Sequence, residues 1–576
     1  MKNTAAAILF LLLAAFPAGA AGRFIPSGQK ALEKWEFSID GQSWTEVSAP
    51  HSYNASDGHS ASYYRGCATY LTTVDIKRPQ QESYLIFEGA AQKARVYVNG
   101  QLACDHRGGY TAFSVNLKGL VHKGRNAVEV VCDNTQDLEL IPLSSDFNKN
   151  GGLHNPAWIF QPRGAHFSPS EYGLYRMHVT QLQASESMAR ARVQAFVSGA
   201  ARVTLKVRDT SGKTVYKETK HASGEYESEF SIPSPHLWNG TEDPYLYTLV
   251  LEEDTDAGTV YESYRVGFRK ITYKTTQSGW YEDAPVDHDL IRINGQPIMF
   301  RGVNRHETHP ELGYALTREV MEEDIRILLE NNINAVRTSH YPNHPYWYYL
   351  CDRYGIYVVD EANIECHSNM TTENERLTDY LSTAIIDREY SMIRRDRNHP
   401  SVVMWSLGNE NKNPLILRTI LVESYPDPEG TQRVLHQYTK DRPWHYEQAR
   451  DMYETGIDVR SGMYALPEEL IAHGEADGSV PMIECEYEHA MGNSEGNFDE
   501  YWDAYENYRN LQGGFIWDLI DQSIYLINEE GERYFGYGGD YGERIHDGNF
   551  CANGLLLPDR TVQPEMAEVR YFYQQI

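Results

Sequence analysis

The stretch Pro481–Ser494 reads PMIECEYEHAMGNS, a short apolar strand that turns abruptly into acids, an imidazole and a Gly-Asn-Ser bend. Glu484, Glu486 and Glu488 stand two apart, and a strand sends residues two apart to the same face. Three carboxylates sharing one face repel one another, so the pattern points to chemistry or binding unless the strand ends among them. A further acid, Glu410, closes the apolar run Val402–Glu410 (VVMWSLGNE) beside the amide of Asn409. Glycoside hydrolysis needs two carboxyl groups facing across one bond, one protonated and one charged. Spacing alone leaves open which acids pair. Glu365 and His367 form another group, because an acid and an imidazole two apart can share a divalent cation, with Glu410 as a third ligand. A carboxylate-rich set with one imidazole favours Mg²⁺ or Mn²⁺ over Zn²⁺.

These groups need a scaffold that delivers them to one place. From about His288 short apolar strands alternate with helices, the pattern of parallel β/α units. Candidate strands are Pro297–Gly302, Ala335–Ser339, Gly355–Asp360, Val402–Leu407, Trp444–Glu447, Asp458–Met463, Met482–Glu486 and Gly513–Asp518. Between the first two, Val320, Met321, Asp324, Ile325, Leu328 and Leu329 trace an amphipathic helix behind the N-cap Thr317. This succession predicts a (β/α)8 TIM barrel, in which catalytic groups stand at the carboxyl ends of the strands. Those ends carry Asn304–Glu307, Arg337–His344, Asp360–His367, Gly408–Glu410, Tyr464, Glu486–His489 and Trp517-Asp518. Solvated loops would be richer in Lys, Ser and Gly.

The upstream half lacks long helical periods. Residues 21–180 read as a β-sandwich, with a hairpin signal at Asn99-Gly100, and 181–273 as a second sandwich acting as a spacer. The barrel is assigned to 274–576. The irregular segment Pro142–Trp158 is long for a compact domain, and long loops are often functional.

A net charge of −29 argues against a nucleic-acid partner. Residues 1–20 read as a signal peptide: Lys2, the apolar run Ala5–Phe16 and the small residues Ala18-Gly19-Ala20. No later stretch has the length and apolarity of a membrane span, so an exported protein, periplasmic or secreted, is expected. The seven Cys show no metal-type spacing and are expected to be mostly unpaired, because a chain of this size needs no staples.

The segments Arg301–Pro310, Ala335–Pro345, Tyr349–Glu365, Trp405–Glu410, Cys485–Ser494 and Gly513–Ser523 together resemble the glycoside hydrolase family 2 β-galactosidases. The resemblance runs through the barrel half. It implies a jelly-roll sugar-binding domain and an immunoglobulin-like domain for the two N-terminal sandwiches. It implies a retaining, exo-acting enzyme on terminal non-reducing β-D-galactosyl residues, with carboxyl groups about 5–5.5 Å apart. By position, Glu410 matches the acid/base, whose pKa should exceed that of a free Glu. Glu486 matches the nucleophile and Tyr464 the tyrosine that hydrogen-bonds it. His306, His340 and His489 match imidazoles on the galactosyl hydroxyls, Asn409 the amide at the 2-hydroxyl, and Trp517 an aromatic platform. Glu365, His367 and Glu410 match the Mg²⁺ ligands. Asp146 matches an acid touching sugar and Na⁺, and Phe550 (by its carbonyl) and Asn553 match the other Na⁺ ligands.

Glu484 and Glu488 depart from the family pattern, which has apolar or small residues there. The sequence also stops at Ile576, so the family's C-terminal β domain, which walls the aglycone subsite, is not expected, and a larger or branched galactoside would fit. Two alternatives stay open. One is a family member acting on another sugar, such as a β-glucuronide or a substituted β-galactoside. The other is a carbohydrate-binding protein without catalysis, against which Glu410, Glu486 and Tyr464 all stand. Oligomeric state is left open.

Overall fold

The computed structural model describes residues 29–57, 63–135, 137, 140, 149–170, 175–255, 258–274, 288–367, 379–410, 441–447, 458–476, 480–543 and 546–574. The expected signal peptide and Asp146 lie outside them.

Two antiparallel sheets form the first unit. One has the order Gln29–Ala31, Ala157–Phe160, Tyr84–Phe87, Phe113–Asn116; the other has Thr45–Ser48, Lys34–Ser38, Cys67–Ile76, Gly124–Asp133, Lys93–Val98, Gln101–Arg107. Leu85, Phe87, Val96, Val98, Val128 and Val130 close the core between them. The Asn99-Gly100 turn joins its two strands with φ of 51° and 79°, the left-handed pair that a two-residue hairpin requires.

The second sandwich is built on the long strand Met188–Arg208, flanked by Met177–Ala184, Thr214–Pro233 and Tyr247–Thr255. His166–Phe167 pairs with Val197-Ser198 in the same sheet, and Met177–Ala184 continues across residue 180, with a bulge between Gln181 and Gln183. Residue 180 thus lies within a strand of this sheet. A two-residue strand carries too little periodicity to be seen in sequence.

All eight expected barrel strands form, all paired in parallel: β1 Phe300–Asn304, β2 Ala335–Arg337, β3 Tyr357–Glu361, β4 Val402–Ser406, β5 Trp444–His445, β6 Arg460–Met463, β7 Met482–Tyr487 and β8 Leu511–Ile516. Their order is β5-β4-β3-β2-β1-β8-β7-β6. β1 starts at Phe300 because Gln296-Pro297 folds back on His288–Ile293 as a hairpin. That hairpin plugs the barrel floor: Ile291, Ile293 and Trp238 of the second sandwich pack under Phe300, Val359, Val403, Ile483 and Phe515. Trp238 Nε1 also donates to the Asp352 carbonyl at 2.8 Å, pinning sandwich to barrel.

Helices cover the outside. In α1, Arg318–Glu330, Thr317 accepts from the Val320 N–H and Met321, Ile325 and Leu328 face inward. Asp324 is buried with them because it receives Arg305 at 2.9 Å and Arg560 at 3.1 Å. Val320 and Leu329 are only half-buried. All seven Cys are free thiols. No helix among the described residues is long and apolar enough to cross a membrane.

Candidate active site

The three acids of the opening stretch go to three different places. β7 is buried along its whole length, and its register to β8 shifts twice, between Met482 and Glu484 and again between Glu484 and Tyr487. Glu484 turns toward β6, where it accepts from the Ala465 N–H at 3.0 Å. Its carboxylate lies over Gly462, where a Cβ would come within 1.7 Å of Oε1, so a side chain there would displace the Glu484 carboxylate. This contact fixes the turn that presents Tyr464, a non-glycine residue at φ 54°. The departure at Glu484 is thus structural.

Glu486 reaches the barrel mouth. Tyr464 Oη donates to its Oε2 at 2.8 Å and Arg337 Nη1 to its Oε1 at 2.9 Å. Burial raises its pKa above the usual range, with Arg337, His340 and Tyr464 opposing. Both carboxylate oxygens are thereby held in fixed directions.

Glu488 lies beyond the strand at φ 50° and accepts from the Gly496 N–H at 2.7 Å. Burial pushes it up to about 7, against the Gly496 N–H and with help from Glu568. Burial also pushes the neighbouring Glu495 up to about 9, with Glu488, Glu565 and Glu568 adding. A carboxyl whose folded pKa is raised stabilises fully only below its unfolded value. For Glu488 that stability is lost as pH rises from 4.5 to about 7. Glu488→Gln keeps an acceptor for Gly496 and removes the charge. Thermal melts should show it more stable than the parent by about 1–3 kcal/mol at alkaline pH, with no gain in acid below both values.

Glu410 reaches the same mouth from β4. Beyond Ser406 the chain pairs onward with the extension of β3: Asn409 N donates to Ile364 O at 3.0 Å and Cys366 N to Asn409 O at 3.3 Å. Gly408 makes this approach feasible, at φ 106° with a would-be Cβ only 2.3 Å from the Ile364 carbonyl. Glu410 follows at φ 44°, a strained conformation for a side-chain-bearing residue and common at functional sites. The pairing sets Glu365 opposite Asn409. It gathers donor atoms of Glu365, His367 and Glu410 within 4.8 Å of one another, with His367 Nδ1 2.5 Å from Glu410 Oε2. Two carboxylates and one imidazole at this spacing fit a Mg²⁺-type ion that keeps part of its water shell.

Arg337 and Glu361 join these halves, and sequence reasoning left both without a role. Arg337 donates to Glu361 at 2.8 and 3.0 Å, to Asn304 Oδ1 at 3.0 Å and to Asn409 Oδ1 at 2.8 Å, besides Glu486. One guanidinium thus ties the residue before Glu410 to Glu486. Burial pushes the Glu361 carboxyl up, but Arg337, His340 and Ser406 outweigh it and hold it at about 2. Glu447, at the end of β5, was also missed. It is 3 % exposed, and burial raises its pKa well above normal against Arg337, with Glu410, Glu486 and Glu361 adding. Its signal was only its place at a strand end.

The expected imidazoles and indole meet here. His340 Nδ1 lies 2.8 Å from Glu361 Oε1 and its ring stacks on Trp517 at 5.1 Å; His306 meets Trp517 edge-on at 5.5 Å. Burial, with His340 and Arg337 nearby, drives His306 well below the usual imidazole range, so it stays neutral. His489 packs between Tyr464 and Phe550, at 5.8 and 5.9 Å. Asn553 is 1 % exposed; its Nδ2 donates to the Phe550 carbonyl at 2.8 Å, and its Oδ1 is buried with no hydrogen-bond partner. Turned over, that amide would bring two oxygens together, which suits Na⁺. Three residues after Asp146, the Lys149 amine lies in the field of Glu365 and Cys366; burial and Arg65 lower it to about 8 against them.

A barrel with acids at its mouth behind two β-sandwiches defines a class of carbohydrate-active architecture. Comparison with known proteins makes it specific. Three family models match: "Glycosyl hydrolases family 2, sugar binding domain" over residues 31–161, "Glycosyl hydrolases family 2" over 174–269, and "Glycosyl hydrolases family 2, TIM barrel domain" over 285–576. The chain belongs to glycosyl hydrolase family 2. It is 34% identical over 537 residues to a protein named beta-galactosidase from Pseudoalteromonas haloplanktis, covering 89% of this chain and 49% of that one. It is 40% identical over 423 residues to one of the same name from Psychromonas ingrahamii, covering 69% and 38%. The chain thus spans half or less of these relatives' lengths. Among solved structures, the Bacteroides uniformis beta-glucuronidase superposes with a TM-score of 0.76 at 21% identity, covering 95% of this chain and 69% of that one. The Dictyoglomus thermophilum beta-D-glucuronidase gives 0.72 at 19%, covering 95% and 97%. At these identities the structural likeness speaks to the fold.

Proposed function

We propose that this protein is a retaining exo-β-galactosidase. The observation that carries the reading is Glu486, oriented by Tyr464 and Arg337 and tied through Arg337 to the Asn409-Glu410 turn. In this reading Glu410 protonates the glycosidic oxygen while Glu486 attacks the anomeric carbon, giving a covalent galactosyl-enzyme. Glu410, now ionised, takes a proton from water, which displaces Glu486. Asn409 binds the 2-hydroxyl, and neutral His306 with His340 and His489 hydrogen-bonds the other hydroxyls beside Trp517. Burial raises the Glu447 pKa and so favours its neutral form, which limits the negative charge near the two working acids.

Glu365, His367 and Glu410 would hold Mg²⁺, which when bound orients the Glu410 carboxyl and tunes its acidity. Asp146, Phe550 and Asn553 are proposed for Na⁺. Exhaustive chelation should lower kcat/KM about 10- to 100-fold, and added Mg²⁺ should restore it. Indifference to chelation would remove the metal assignment.

The galactoside reading rests on relatives named beta-galactosidase at 34–40% identity. Initial rates on p-nitrophenyl β-galactoside, β-glucoside and β-glucuronide test it. The β-galactoside should be turned over at least about 100-fold faster in kcat/KM than the others. Preference for the glucuronide would overturn the substrate and keep the mechanism.

A further inference from the structure

Away from the active site, a cavity of about 110 Å³ lies where the second sandwich meets the barrel, lined by Gln181, Arg269, Arg397, Asn398, Asp441 and Arg442 among others. All three of its arginines are buried: Arg397 is 6 % exposed, Arg269 4 % and Arg442 1 %. Arg269 Nη2 donates to the Val402 carbonyl at 2.8 Å, while its Nε is buried without a hydrogen-bond partner. Arg442 Nη2 donates to the carbonyls of Arg397 at 2.8 Å and His399 at 3.2 Å, while its Nε and Nη1 are buried without one. Among the described residues Asp441 is the one acid that lines it, 3.8 Å from Arg442 Nε, an ion-pair distance too long for a hydrogen bond. The neutral lining is already engaged: Gln181 and Asn398 spend their amides on Arg269 and on Met177 and Val179.

Guanidiniums stay charged inside proteins, and a buried charge is expensive unless it is paired. Burial, with Arg442 beside it, already pulls Arg269 down to about 9. Water could fill the space and accept hydrogen bonds, yet it carries no charge to balance the cations. A ligand with several charged oxygens does both. The volume is enough for a small polyatomic ion with its waters.

We propose that this junction cavity binds a small divalent oxyanion of the phosphate or sulfate type, held by Arg269 and Arg442 with Arg397. It would brace the sandwich against the start of β4, since Arg269 already holds Val402, the first residue of that strand.

The test uses the full chain and inorganic phosphate, titrated at constant ionic strength against chloride and followed by thermal unfolding and calorimetry. Phosphate should raise Tm saturably with one site per chain, without competing against the glycoside. Arg269→Gln should abolish the saturable part. Asp441→Asn gives a reading of opposite sign that does not depend on removing an arginine: losing the acid on the cavity wall should tighten phosphate roughly tenfold. The proposal is overturned if phosphate stabilises no more than chloride, if inhibition is competitive with substrate, or if Asp441→Asn leaves phosphate affinity unchanged or weaker.

Discussion

Glu486→Gln is expected to lower kcat by roughly 10⁴-fold or more, the scale seen when a nucleophile is removed. The amide is isosteric, so its oxygen can still accept from Arg337 and its N–H₂ can turn to the Tyr464 oxygen, the two partners that hold the carboxylate at 2.9 and 2.8 Å. The fold and sugar binding should survive, and only covalent attack should be lost. Steady-state kinetics with a p-nitrophenyl galactoside, beside equilibrium binding of galactose, separates these effects. Wild-type turnover in the variant would refute the assignment of the nucleophile.

Arg337→Lys comes next. The guanidinium serves four partners at once (Glu361, Asn304, Glu486 and Asn409), and an ammonium, a single point charge, cannot span them. A loss of roughly 10²- to 10³-fold in kcat/KM is expected, comparable to removing a preorganised electrostatic donor. The pH profile carries the distinctive signature. Burial raises the Glu486 pKa and Arg337 leads the groups that oppose it. With that opposition weakened, Glu486 holds its proton to higher pH and the acidic limb of kcat/KM moves up. A uniform loss at every pH would assign Arg337 to fold maintenance alone.

The barrel was legible because most of its strands are compact apolar runs with a polar cluster at the end. β4, buried throughout and delivering Glu410, is the clearest case. β5 and β6 are the weak signals, and both are short: Trp444–His445 and Arg460–Met463. The strand-alternation rule failed at β7. It assumes one buried and one open face, whereas a barrel strand buried on both, with two register shifts, releases Glu484, Glu486 and Glu488 in separate directions. Arg337, Glu361 and Glu447 escaped for a related reason. Their roles depend on which side chains converge inside the barrel, and no spacing along one strand encodes a contact among β2, β3, β5 and β7.

The central claim is a covalent galactosyl-enzyme at Glu486. Treating the protein with 2-deoxy-2-fluoro-β-galactosyl fluoride, then digesting it and sequencing the peptides by mass spectrometry, tests it directly. Time-dependent inactivation is expected, with one fluorogalactosyl group on the peptide carrying Glu486. Labelling of a different carboxylate, or unlabelled protein that keeps hydrolysing β-galactosides, would contradict it.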